Sequence, residues 1–184
     1  RCKILSERVA AGTARREALK HYSGAMFYYG GEWYWGVDRL YHLEQRFADL
    51  GIDREPAAPP LVPRPVVEPA ALKDDGSLTL EIYPSLRSPY TAISFDRAVR
   101  LAEETGVELV VRPVLPMVMR GAGLPKSKLL YIVKDANREA QRQEVPFGKI
   151  ADSVGVGAER CIAAFYYAKQ EGRERDFLVE AGKA

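Results

Sequence analysis

The chain has 184 residues, 47% of them hydrophobic and 28% charged, with a formal net charge of +2. That balance fits a globular chain long enough for one good core or two small ones. It makes no case for nucleic acid, because cations alternate with acids, as in Arg97, Arg100, Glu103 and Glu104, instead of clustering into a basic stripe. No apolar run approaches the ~20 residues that span a bilayer, so no membrane partner is expected, and no secretory leader is visible. The chain opens on Arg1 rather than Met, from which a preceding segment is expected. Cys2 and Cys161 form neither a CxxC nor a metal-ligand spacing, so no metal is expected. Cys161 shares an apolar stripe with Ile162 and Phe165; it is expected buried and unpaired, with Cys2 too distant to bridge it, as suits a reducing, cytoplasmic setting.

In chain order, residues 3 to 22 have helical composition, with Gly12-Thr13 as a candidate break. Aromatic residues then flank Gly30-Gly31, from Phe27 to Trp35, which predicts a hairpin with a two-residue turn. Leu40, Leu43, Phe47 and Leu50 follow helical spacing from about Asp38 to Asp49, and Gly51 stops the run. Pro56, Pro59, Pro60, Pro63, Pro65 and Pro69 mark residues 52–77 as a stiff, extended linker that closes on the Asp74-Asp75-Gly76 turn. Beyond it, Leu78, Leu80 and Ile82 alternate with polar neighbours as in a strand. Ser88-Pro89 opens a helix that ends near Gly106, and Val107 to Val111 reads as a buried strand. Strand, helix, strand over this span predicts a parallel βαβ unit. From Lys126 onward three helices are expected, the first carrying Leu129, Leu130 and Val133, the second Ala158, Cys161 and Phe165, the third starting near Arg173.

Two stretches carry a family resemblance. Gly31-Glu32-Trp33-Tyr34-Trp35-Gly36-Val37-Asp38-Arg39-Leu40 resembles the closing hairpin and helix of DsbA-like proteins of the 2-hydroxychromene-2-carboxylate isomerase and kappa-class glutathione transferase group. Ser88-Pro89-Tyr90, Arg112-Pro113-Val114-Leu115, and Lys128, Tyr131, Asp135 and Arg138 at K-x-x-Y-x-x-x-D-x-x-R spacing resemble the opening half of the same fold. The resemblance implies an α/β, thioredoxin-like fold with a helical insertion after Pro125. Because the family's end precedes its beginning, it also implies a tandem protein. Residues 1–51 would close a first thioredoxin-like domain, 52–77 would link, and 78–184 would open a second.

The resemblance further implies glutathione as cofactor, with Ser88 holding its thiolate and Ser88, Pro89, Tyr90, Arg112 and Lys128 around it. A helix N-terminus suits that task, since its dipole and N–H groups stabilise a thiolate. Ser88-Pro89 is equally the standard start of a helix, serine capping and proline in the first turn. Lys128, Tyr131, Asp135 and Arg138 read either as a polar cleft wall or as weak pairs on a helix surface, the latter favoured for Asp135 and Arg138. His21 and His42 have no partner cluster and read as structural or exposed.

The activity implied is a glutathione-dependent isomerase or transferase acting on small conjugated or aromatic electrophiles. The alternative is a non-catalytic thioredoxin-like binding or scaffold module. Three departures from the family pattern favour that alternative: Ser85 in place of an acid, Gly121-Ala122-Gly123-Leu124 in place of an Asn-containing turn, and Ala25 in place of the family's cis-proline. Disulfide oxidoreduction is disfavoured by the missing CxxC. A lone hairpin leaves unpaired edges, so it is expected to pair with the strand at 78 to 83, within one chain or across a homodimer, into a four-stranded sheet. That pairing would set the Ala25 loop beside Ser88, and because Ala25 cannot supply the proline geometry, glutathione would then bind weakly or not at all, with little change on Ser88→Ala.

Overall fold

The computed structural model describes residues 2–66, 68 and 70–183, with the backbone alone of Cys2. Its elements run α1 (Cys2–Ala18), β1 (Met26–Tyr29), β2 (Glu32–Trp35), a 3-10 turn (Val37–Arg39), α2 (Leu40–Asp49), β3 (Thr79–Ile82), α3 (Pro89–Thr105), β4 (Glu108–Val111), a second 3-10 turn (Met117–Arg120), α4 (Lys126–Arg142), α5 (Val156–Gln170) and α6 (Glu174–Lys183). The chain is mixed α/β. Among the described residues no helix is long and apolar enough to cross a membrane. Contacts divide it into unit one, residues 1–66 with 125–135, and unit two, residues 67–124 with 136–184. This division cuts through α4.

In unit one, α1 continues through Gly12 without a break. The hairpin forms because Gly30 and Gly31 take φ of 56° and 85°, the left-handed pair that a two-residue turn of matching twist requires. Met26 pairs Trp35, Phe27 pairs Tyr34, Tyr28 pairs Trp33 and Tyr29 pairs Glu32. Tyr34 is fully buried, and Tyr29 meets Phe47 of α2 edge-on at 4.8 Å. The proline-rich segment is tied to α2: the Glu44 carboxylate accepts the Leu61 and Val62 N–H groups at 2.6 and 3.0 Å, and the Arg64 guanidinium lies 5.9 Å from the Tyr41 ring. Proline removes the ladder donors around these two residues, and a carboxylate takes the donors that remain.

In unit two, β3 and β4 are parallel, pairing Thr79 with Glu108 through Ile82 with Val111, with α3 between them in sequence. The βαβ expectation therefore holds. Phe95, Val99, Ala102, Leu109, Val111, Phe165 and Leu178 form its main core, and the fully buried Phe165 alone contributes about 2–3 kcal/mol. A second cluster joins Ile93 of α3 to Ala136 and Ala140 of α4. The entry to β3 is set by Asp74, whose carboxylate accepts N–H groups of Gly76 and Leu78 and whose own N–H donates to the Thr105 carbonyl at 2.7 Å.

Two expectations are corrected. Among the described residues the strands form two two-stranded sheets, β1–β2 and β3–β4, not a four-stranded one, so the pairing that would bring the Ala25 loop to Ser88 is absent among them. An alternating strand specifies which face is buried, but not which edge receives a partner. Cys161 is a free thiol, as expected, but half-buried rather than buried, because α5 turns Ala158 and Phe165 inward and carries Cys161 to the margin of that face. The Cys2 side chain lies outside the described residues.

Candidate functional site

Ser88 caps α3 at the end of the loop that follows β3. It has extended backbone angles, its Oγ accepts the Thr91 N–H at 3.4 Å, and Pro89 occupies the first turn. The capping role is thus present. A hydroxyl has two acceptor lone pairs and one proton, so a capping Ser88 still has a proton to donate. The 17 residues of α3 put the positive end of a helix dipole at this point. Tyr90, next in the chain, packs against the Ile93, Ala136 and Ala140 cluster. Beside Ser88, Arg87 donates to Asp152 at 2.9 Å, holding the loop before α5; this bond and the Val154 N–H lower the Asp152 pKa.

Arg112 leaves the end of β4 and is engaged across the sheet. Its Nε and Nη2 donate to one oxygen of Glu81 at 2.9 and 2.6 Å, while Tyr83 donates its hydroxyl to the other at 2.6 Å. The Arg112 bond, then the Tyr83 bond, lowers the Glu81 pKa. Lys128 falls in unit one, where its ammonium lies 5.6 Å from the centre of the Tyr22 ring. The structure therefore groups Ser88, Pro89, Tyr90 and Arg112 in unit two and Lys128 in unit one.

The sequence reading missed a polar centre in unit one. Asp135, expected on a helix surface, is 1% exposed. The Arg39 Nε donates to both of its oxygens at 3.1 Å, and the Tyr131 hydroxyl donates to Oδ1 at 3.1 Å. Arg39 comes from the D-R-L end of the first motif and Asp135 from the second motif, so the two family-like stretches meet here. Around Tyr131 gather His21 at 5.3 Å, Trp35 at 5.8 Å and Tyr22 at 6.4 Å between ring centres. His21 is 5% exposed; its Nδ1 accepts the Ser23 N–H at 3.1 Å, and its Nε2 is buried without a hydrogen-bond partner. The one sequence sign of this centre was the density of aromatic residues between His21 and Trp35.

Burial, and then the Arg16 charge, lower the His21 pKa below the ordinary 6.5, although the Ser23 carbonyl, 3.3 Å from Nδ1 and able to accept a hydrogen bond from the charged ring, works the other way. A histidine held neutral in the fold adds stability that is full above its unfolded pKa and is lost as pH falls through it. Unit one is therefore expected to lose stability as pH falls below about 6.5, and His21→Phe to flatten that loss. Denaturant titrations followed by tryptophan fluorescence at a series of pH values check this, since Trp33 and Trp35, the chain's 2 tryptophans, both lie in unit one. A wild-type profile no steeper than that of His21→Phe would contradict it.

Among the described residues no group of three or more His, Cys, Asp or Glu side chains could hold a metal ion. No family model matches the chain, and neither a curated protein nor a solved structure matches it.

Proposed function

We propose that unit two carries the thiolate site of a glutathione-dependent isomerase or transferase with a thioredoxin-like fold. In this reading the substrates are small conjugated or aromatic electrophiles, and Ser88 donates its hydroxyl proton to the glutathione sulfur. The supporting observation is the position of Ser88, at the start of a long helix in the connection that leaves the carboxyl end of a parallel strand, with a proton left to donate. Open α/β sheets take ligands at that edge. The thiolate adds to a conjugated double bond, rotation follows about the new single bond, and elimination returns the thiolate and the other isomer.

The engagement of Arg112 with Glu81, and Ala25 in place of proline, favour a second reading: a non-catalytic module of the same fold. Calorimetry with glutathione separates the two. The enzymatic reading expects saturable binding, a rise in ultraviolet thiolate absorbance on binding, and a loss of affinity of about 10-fold or more in Ser88→Ala, the worth of one hydrogen bond to a charged group. Absence of binding, or equal binding by Ser88→Ala, would leave the non-catalytic module.

A further inference from the structure

Between the second half of α1 and the start of the hairpin lies a cleft of about 340 Å³, walled by Val9, Leu19, Met26 and Trp33 and edged by Arg15 and Arg16. It lies wholly in unit one and uses no residue of the proposed thiolate site. We propose that this cleft binds a small organic anion with an apolar body. The volume falls at the lower end of the range of small-molecule sites, which pair an apolar wall with a few converging polar groups.

Each part of the cleft suits one part of such a ligand. The Trp33 indole N–H donates to the Leu19 carbonyl at 3.1 Å, so the ring is fixed with its polar atom satisfied and offers only apolar surface. The Arg16 guanidinium reaches the Glu17 carboxylate through Nη2 at 3.3 Å, yet its Nε is buried without a hydrogen-bond partner. Arg15 and Arg16 nonetheless set two guanidinium groups at the edge of the cleft, and a carboxylate is the kind of anion that such groups match. The carboxyl end of α1 carries about half a negative charge, and Glu17 a full one; the two guanidinium groups outweigh them.

Gly12 provides the test. A Cβ built there meets nothing within 4 Å, and Gly12 lines the cleft. Gly12→Leu therefore fills the cleft while raising helix propensity, so the variant folds. The probe is 2-naphthoate, titrated by calorimetry into the full chain, with 2-naphthylmethanol as its neutral counterpart. One site is expected for the acid in the wild type, about tenfold tighter than for the alcohol. Arg16→Gln should abolish that preference and leave the alcohol unchanged. Gly12→Leu, with unaltered circular dichroism, should bind neither. Binding that survives Gly12→Leu, an equal affinity for acid and alcohol in the wild type, or no heat from either at millimolar concentration would overturn the proposal.

Discussion

Arg39→Met is expected to destabilise unit one by about 3–5 kcal/mol, since it takes from a buried carboxylate the guanidinium that donates to both of its oxygens. Asp135 is 1% exposed, while the Arg39 side chain is 24% exposed and reaches toward water. The two ends of the pair are therefore unequal. Asp135→Asn keeps an oxygen for the Tyr131 hydroxyl and leaves a cation that solvent can reach, so it should cost only about 1–2 kcal/mol. Replacing both, as Arg39→Met with Asp135→Leu, removes the two desolvation penalties together and should restore most of the loss. Denaturant unfolding followed by tryptophan fluorescence reads unit one selectively. Equal single-variant effects, or a double variant as unstable as their sum, would show that the pair does not work in this way.

Gly106→Ala should be nearly as damaging to unit two, at about 3 kcal/mol. Gly106 ends α3 with φ of 77°, a region that costs a residue with a Cβ about 1–2 kcal/mol. A Cβ there would also run into the Asp74 carbonyl, a backbone group that cannot swing aside. Relieving that clash moves Asp74 and puts at risk its N–H bond to the Thr105 carbonyl, worth about 1 kcal/mol. Gly51→Ala is the control: φ is 66°, yet nothing lies within 4 Å of the added carbon, so strain alone acts. Hydrogen exchange of the β3 and β4 amides should accelerate strongly in Gly106→Ala and remain unchanged in Gly51→Ala. If Gly106→Ala leaves that exchange at the wild-type rate, the close approach to Asp74 has no energetic weight.

The local elements were legible because their signals are local. Gly30-Gly31 between aromatic residues specifies a turn whatever surrounds it, and Ser88-Pro89 specifies a helix start for the same reason. The alternation at Leu78 to Ile82, followed by a helix and a β-branched run, specifies a parallel pair, because a crossover of that length allows little else. Gly12-Thr13 misled as a break, since one glycine costs a helix only about 1 kcal/mol and the neighbouring turns carry it through.

What only tertiary structure decided is which distant side chains share one buried space. Asp135 and Arg138 both present charge at helical spacing, and nothing within a few residues says that Asp135 is enclosed. Arg39, which donates to it, lies 96 residues earlier, at the start of the helix expected from about Asp38. The division of α4 between two units is invisible for the same reason, because one continuous periodicity serves both. Sheet edges were likewise open: the sequence by itself determined that four strands form, and packing decided that they stay as two pairs. Turns and caps are fixed by the chemistry of a few adjacent residues. Burial and pairing are fixed by the free energy of contacts between segments that the chain brings together only when folded.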